Sequence, residues 1–319
     1  MAQSIIQKIS PNPSFSKRGI KEFPPLAKGG EGGFLKKNFK KMDNLYLLKY
    51  EVIFHWIAVG FYILSTVVFA YSVSFKKSDT LKYGVFLALI GLIPHSVALG
   101  IRWHIAGHGP YMAKYEVLSS NAWVVILMFL LMGWKIPKLR AAGVVVVPLS
   151  FLMMTLGLFT NPELKNLPPT LSGIWLVIHI LFNKLAVGAI LISLGSAVLY
   201  LLKKKLADKD FYQRLPSLEV LDTYSYKFIG FGFIFWSITV VAGSIWANQA
   251  WGRYWGWDPI ETWSLITWLL YGLYLHLRYF LKWEGTKASW MLIACFIVAV
   301  VTIFIIPFVV ETLHSSYFM

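Results

Sequence analysis

The residues richest in chemistry in this 319-residue chain lie together at 246–268, where Trp246, Trp251, Trp255, Trp257, Trp263 and Trp268 fall among Gly252, Gly256, Asp258, Pro259 and Glu261. Fourteen Trp occur in the whole chain, so this short run holds a concentration that composition does not explain. Indole at the boundary between membrane and water has an ordinary role in interfacial belts. A belt, however, needs one or two Trp per helix end and nothing fixed between them. Here two glycines relax the backbone, Pro259 stops one element, and Asp258 and Glu261 add carboxylates. The combination describes a shaped aromatic surface for a large flat ligand, with Arg253 as a cation available to an acidic group on it.

Read in order, Trp251-Gly252-x-Tyr254-Trp255-x-Trp257-Asp258-Pro259-x-Glu261-Thr262-Trp263 resembles the "WWD" motif of the haem-handling membrane proteins of cytochrome c maturation. The Pro259-to-Trp263 continuation is similar to the CcsA/ResC branch, the System II cytochrome c synthase component; CcmC and CcmF carry other residues after the Trp-Asp. Shorter matches are Leu221-Asp222 with Ser225-Tyr226, Gly230-Phe231-Gly232, Tyr274-Leu275-His276-x-Arg278 and Leu313-His314-Ser315. Earlier, Arg102-Trp103, Gly107-His108-x-Pro110 and Tyr115-Glu116 resemble the family's first extracytoplasmic loop.

The elements that must position these residues are membrane helices. Apolar residues make up 57% of the chain, charged ones 14%, and mean hydropathy is +0.61, more apolar surface than a soluble domain can hide. We expect an all-α polytopic membrane protein with eight spans, at about 50–74, 82–101, 120–134, 141–159, 173–202, 226–246, 263–281 and 289–310. Lys76, Lys77 and Lys82, then Lys135, Lys138 and Arg140, then Lys203 to Arg214, then Arg278 to Lys287 occupy alternate connections. The formal charge of +15 is therefore a topology signal rather than a nucleic-acid footprint. That arrangement places the Trp-rich loop on the extracytoplasmic side. Residues 1–41 hold nine Lys/Arg and two acids but no apolar core. They read as a basic disordered tail or a start upstream of a true beginning at Met42. Cys295 is the single cysteine, which excludes an internal disulfide, a Cys₄ zinc site and a CxxCH segment of the chain's own.

Depth sorts the histidines. His179 enters early in the fifth span, about 9 Å below the outer surface, and His314 follows the last span, so both share the level of the Trp loop. Two imidazoles beside an aromatic floor suit axial ligation of haem iron; the competing reading of each is an interfacial polar residue. His276 lies about 20 Å deeper and cannot serve the same haem. His55 and His95 fall in the outer halves of the first two spans, where a buried, satisfied role is as good an account as ligation. His104 and His108 belong to an outward loop.

What the resemblance implies is a haem-binding subunit of a cytochrome c synthase. Such a subunit conveys haem b outward and presents it for thioether attachment to an apocytochrome c bearing CxxCH. His179 and His314 correspond to the family's external haem ligands. His276 corresponds to the ligand of an inner haem completed by a CcsB/ResB-like partner. Trp251, Tyr254, Trp255, Trp257 and Trp263 would pack the macrocycle, and Asp258 would brace the loop or a ligand. Thiol-reducing proteins are implied partners, and no catalytic nucleophile is expected in this chain, since the substrate brings both sulfurs. The alternatives are a b-type electron-transfer subunit and a small-molecule transporter with broken helices.

Overall fold

Among the described residues every element is helical. The computed structural model describes residues 31–75, 77–160, 162–164, 167–206, 215–310 and 312, with side chains from Tyr46 onward. The chain divides between Leu45 and Tyr46, and the unit Tyr46–Met319 carries all the spans. Most of the 1–41 segment, and His314 with its neighbours, lie outside the described residues.

The long helices are α1 (Glu31–Ser74), α2 (Leu81–Ala106), α3 (Lys114–Lys135), α4 (Gly143–Leu158), α5 (Ile174–Lys205), α6 (Leu218–Trp251), α7 (Pro259–Phe280) and α8 (Thr286–Val300). A π turn, Val301–Ile305, and the short α9, Ile306–Val309, continue α8. Seven segments are long and apolar enough to cross a membrane: the Tyr46–Ser74 part of α1, α2, α3, Pro137–Leu158, α5, α6 and Thr286–Ile305. The eight expected spans correspond to α1–α8, and seven of them meet both criteria. The third span is also a full 22 residues rather than short.

Helix α7 is the exception. Its 22 residues would reach about 33 Å, but Trp, Tyr, Thr, Ser, His and Arg keep it below the hydropathy of the others. Thr267, Tyr271, Tyr274 and Arg278 are buried, so α7 turns these side chains toward neighbouring helices rather than lipid. Arg278 makes a bidentate pair with Asp222 of α6 at 2.9 and 2.7 Å.

Helix α5 is the axis of the bundle. Small residues let its neighbours approach closely, as expected where the bilayer gives no hydrophobic drive between helices. Gly195 faces the backbone and Cβ of Ala142, and Gly188 faces the sulfur of Met128. Across the α5–α6 seam, Ile190 lies against Gly232.

The connections sort to two ends. Lys82, Lys138 and Arg140 share one cleft with Pro216, so the basic connections gather at one end of the bundle. At the other end Met112, Leu171, Leu176 and Trp246 pack together, with Leu167 and Trp251 against them. The Trp-rich loop belongs to this second end.

Candidate functional site

At that end α5, α6 and α7 converge on His179. Its Nδ1 lies 2.8 Å from the backbone oxygen of Thr239 on α6. A carbonyl can only accept, so Nδ1 carries the proton and donates, and the lone pair of the neutral ring is on Nε2. The imidazole stacks on Trp246, with centroids 6.2 Å apart and planes inclined by 28°. One turn beyond Thr239, Gly243 leaves room for the ring: a Cβ there would sit 2.6 Å from His179 Nδ1. Gly243→Ala, which raises intrinsic helix propensity, is therefore expected to push the imidazole off Thr239 O and Trp246. The tryptophan fluorescence of the purified variant checks this.

Trp246 is itself 3% exposed, donates its Nε1–H to Thr170 O at 2.8 Å, and meets Trp251 edge-on at 4.8 Å. These two indoles are wall and buttress. Beyond them the chain turns through Gly252, which ends α6 at φ +74°. Asp258 then caps α7, accepting from Ile260 N at 2.9 Å, while Glu261 Oε2 accepts from Gly256 N at 2.8 Å and from Asp258 N at 3.2 Å. Both carboxylates thus hold the loop, a reciprocal cap completed by Pro259 in the first helical turn. Arg253 stacks its guanidinium over Gly256, where any Cβ would collide with it.

The tips of the loop point outward. Tyr254 is 60% and Trp257 70% exposed. Trp257 also adopts φ +58°, a conformation that strains a bulky side chain. Trp255 is half-buried and meets Trp257 edge-on at 5.8 Å. Trp263 lies in the second turn of α7, and its carbonyl accepts from Thr267 Oγ1 at 2.9 Å and Thr302 Oγ1 at 3.2 Å.

Two cavities flank His179. One, about 50 Å³, is lined by Gly243, Trp246, Tyr254, Trp255 and Glu261. The other, about 200 Å³, is lined by Lys114, Asn121, Asn183, Trp236, Thr239 and Pro307. Ile260 and Ser264 border both with His179. The π turn supplies Thr302 and Ile303 to the larger one, a device often found beside functional sites. The sequence reading passed over Gly243, Asn121, Asn183 and Ser264; only the His179–Asn183 spacing of one helical turn hinted at them.

The remaining histidines are elsewhere. His276 is exposed on the outer face of α7, with its ring 4.6 Å from that of Phe280. His55 and His95 are fully buried in a chain with a single direction of donation. Tyr62 O–H donates to His95 Nδ1 (3.1 Å), and His95 Nε2–H to Ser119 Oγ (3.0 Å). Ser119 then donates to His55 Nε2 (2.8 Å), His55 Nδ1–H reaches Glu51 O and Tyr115 Oη, and Tyr115 donates to Glu51 Oε1 (2.9 Å). The lone pair of each imidazole is used within this chain, which makes both fold residues. His108 is buried beside Tyr111, and His104 is exposed. Among the described residues no three His, Cys, Asp or Glu converge to hold a bare metal ion.

A helical membrane protein with a histidine set in a tryptophan-lined end defines a class, and comparison with known proteins names it. Residues 111–314 match the family described as cytochrome C assembly protein, and the chain belongs to that family. It is 32% identical over 265 residues to the cytochrome c biogenesis protein CcsA of Guillardia theta, covering 76% of this chain and 88% of the relative. CcsA of Prochlorococcus marinus (strain MIT 9301) is 30% identical over 305 residues, with 86% and 97% covered. Among solved structures the fold is similar to the cytochrome c haem lyase CcmF, at TM-score 0.65 and 14% identity over 85% of this chain. This chain spans about half, 48%, of that larger protein.

Proposed function

We propose that the chain binds haem b, with His179 as an axial ligand, and presents it at the extracytoplasmic membrane surface for attachment to apocytochrome c. The observation that carries this reading is the tautomer of His179, whose Nδ1–H is committed to Thr239 O so that Nε2 is the ligating nitrogen. Trp257 supports it: a strained backbone that holds a large apolar ring outward suits a surface built for a flat partner. The gathering of basic connections at the opposite end supports a cytoplasmic placement of that end and an extracytoplasmic one for the Trp end.

His314 is the second outer ligand in this reading. Pro307 lines the cavity beside His179, and the seven residues from Pro307 to His314 can reach up to roughly 24 Å. His276 is seventeen residues past Pro259, about 25 Å along α7, and so serves a separate inner site. Its exposure leaves it accessible to a second ligand from a CcsB/ResB-like partner. The bond made at the outer site is a thioether, in which a thiol of the substrate's CxxCH adds across a haem vinyl with no leaving group. This chain's part is to orient: Tyr254, Trp255 and Trp257 hold the ring edge, and Asp258 and Glu261 keep their loop in place. Thiol-reducing proteins keep the substrate cysteines reduced.

Haem quantitation of the full chain, purified with its CcsB-like partner, tests this reading. Non-covalent b-type haem is expected, together with covalent cytochrome c formation that ceases when the chain is deleted. A haem-free complex overturns the reading. So does a haem-loaded complex that oxidises quinol while cytochrome c yield is unaffected by deletion, the behaviour of an electron-transfer subunit.

A further inference from the structure

Lys184 sits a third of the way along α5, 8% exposed, where a lysine is costly and marks function. Its Nζ donates to Ser120 Oγ at 2.6 Å and to Asn121 Oδ1 at 3.1 Å, both neutral partners on α3. No carboxylate among the described residues forms an ion pair with it. Glu116, earlier on α3, is engaged by Arg102 Nε and by the N–H groups of Met112 and Ala113.

Asn121 turns its carbonyl to Lys184 Nζ and keeps its NH₂ as the polar group it offers elsewhere. Asn121 lines the 200 Å³ cavity that borders His179, and Lys114 and Asn183 line it too. The cavity therefore presents N–H donors, with the buried Lys184 amine directly behind one of them. Carboxylate, an acceptor-only anion, is the group this set matches. At about 200 Å³ the space lies below the roughly 300–1,000 Å³ that encloses a drug-sized ligand. It holds an edge of a larger molecule rather than the whole.

We propose that this cavity seats one propionate of the haem bound at His179, and that Lys184 is a positioning residue that aims Asn121 and supplies the counter-charge. The inference rests on the reading of His179 as a haem ligand. It assigns the propionate to the α3–α5 side, whereas the guanidinium of Arg253 is turned over Gly256.

The test is a ligand–variant cycle on the full chain, purified free of haem and titrated by absorbance with haem and with haem dimethyl ester, whose propionates carry no charge. Wild type is expected to bind haem roughly 10- to 100-fold more tightly than the ester, the range of a charge-assisted hydrogen bond. Lys184→Met should collapse that ratio and Lys184→Arg should keep most of it. A role confined to packing would weaken both ligands alike and leave the ratio unchanged, which overturns the proposal. If Lys184→Met does not fold, the wild-type ratio alone decides, since equal affinity for acid and ester is incompatible with a seated propionate. Binding that is insensitive to His179→Ala would instead overturn the assignment of His179, so the two failures are separable.

Discussion

Replacing His179 by alanine is expected to lower covalent cytochrome c yield about tenfold or more, and to strip haem from the outer site. The ring is held by a hydrogen bond to Thr239 O and by stacking on Trp246, so its removal leaves a gap in a preformed wall. Imidazole added to the medium should enter that gap and restore part of the activity. The contrast with Gly243→Ala is informative. There the imidazole remains attached but is displaced by the new methyl group, so external imidazole should not help. Haem content and cytochrome c yield of both variants, with and without imidazole, check the pair of outcomes. Normal yield and haem content in His179→Ala would remove His179 from the site.

Arg102→Met is expected to have the largest effect on stability. Arg102 is 1% exposed; its Nε donates to Glu116 Oε1 at 2.9 Å, and its Nη1 lies 3.6 Å from Glu51 Oε2. It also donates to Pro162 O at 2.7 Å and Glu163 O at 3.3 Å, in the connection that leads to α5 and His179. Removing one partner of a buried ion pair leaves the others uncompensated, at about 3–5 kcal/mol. Removing all the charges together costs far less, because no unpaired charge remains. The triple substitution Arg102→Met, Glu51→Gln, Glu116→Gln should therefore be markedly more stable than Arg102→Met alone. Denaturant unfolding in detergent, followed by tryptophan fluorescence, makes the comparison. A single variant within about 1 kcal/mol of wild type would show that the cluster is not what ties α1, α2 and α3 together.

Composition alone determined the class of fold. Helices that satisfy their own backbone groups are the workable way for so apolar a chain to span a bilayer, and the periodic Lys/Arg connections set their alternation. The spacing of Trp, Gly, Asp and Pro at 246–268 marked the end that carries the site, because helix caps and turns are local and legible in sequence. The seventh expected span, α7, is long yet the least apolar: hydropathy sums side chains without knowing whether they face lipid, and α7 turns Thr267, Tyr271 and Tyr274 inward.

Only the tertiary structure decided which aromatic residues are scaffold and which face outward. Trp246 and Trp257 belong to one motif, yet one is 3% and the other 70% exposed, because the turn at Gly252 reverses the chain between them. Likewise, depth and motif set His179 apart in the sequence, but they left His55 and His95 open between a buried role and ligation. Their roles separate on hydrogen-bond partners from other helices: His55 and His95 spend their lone pairs on Ser119 and Tyr62, while Thr239 O takes the proton side of His179. A side chain's type is written locally, but the groups that settle its protonation and direction come from residues dozens of positions away, and those meet only when the helices pack.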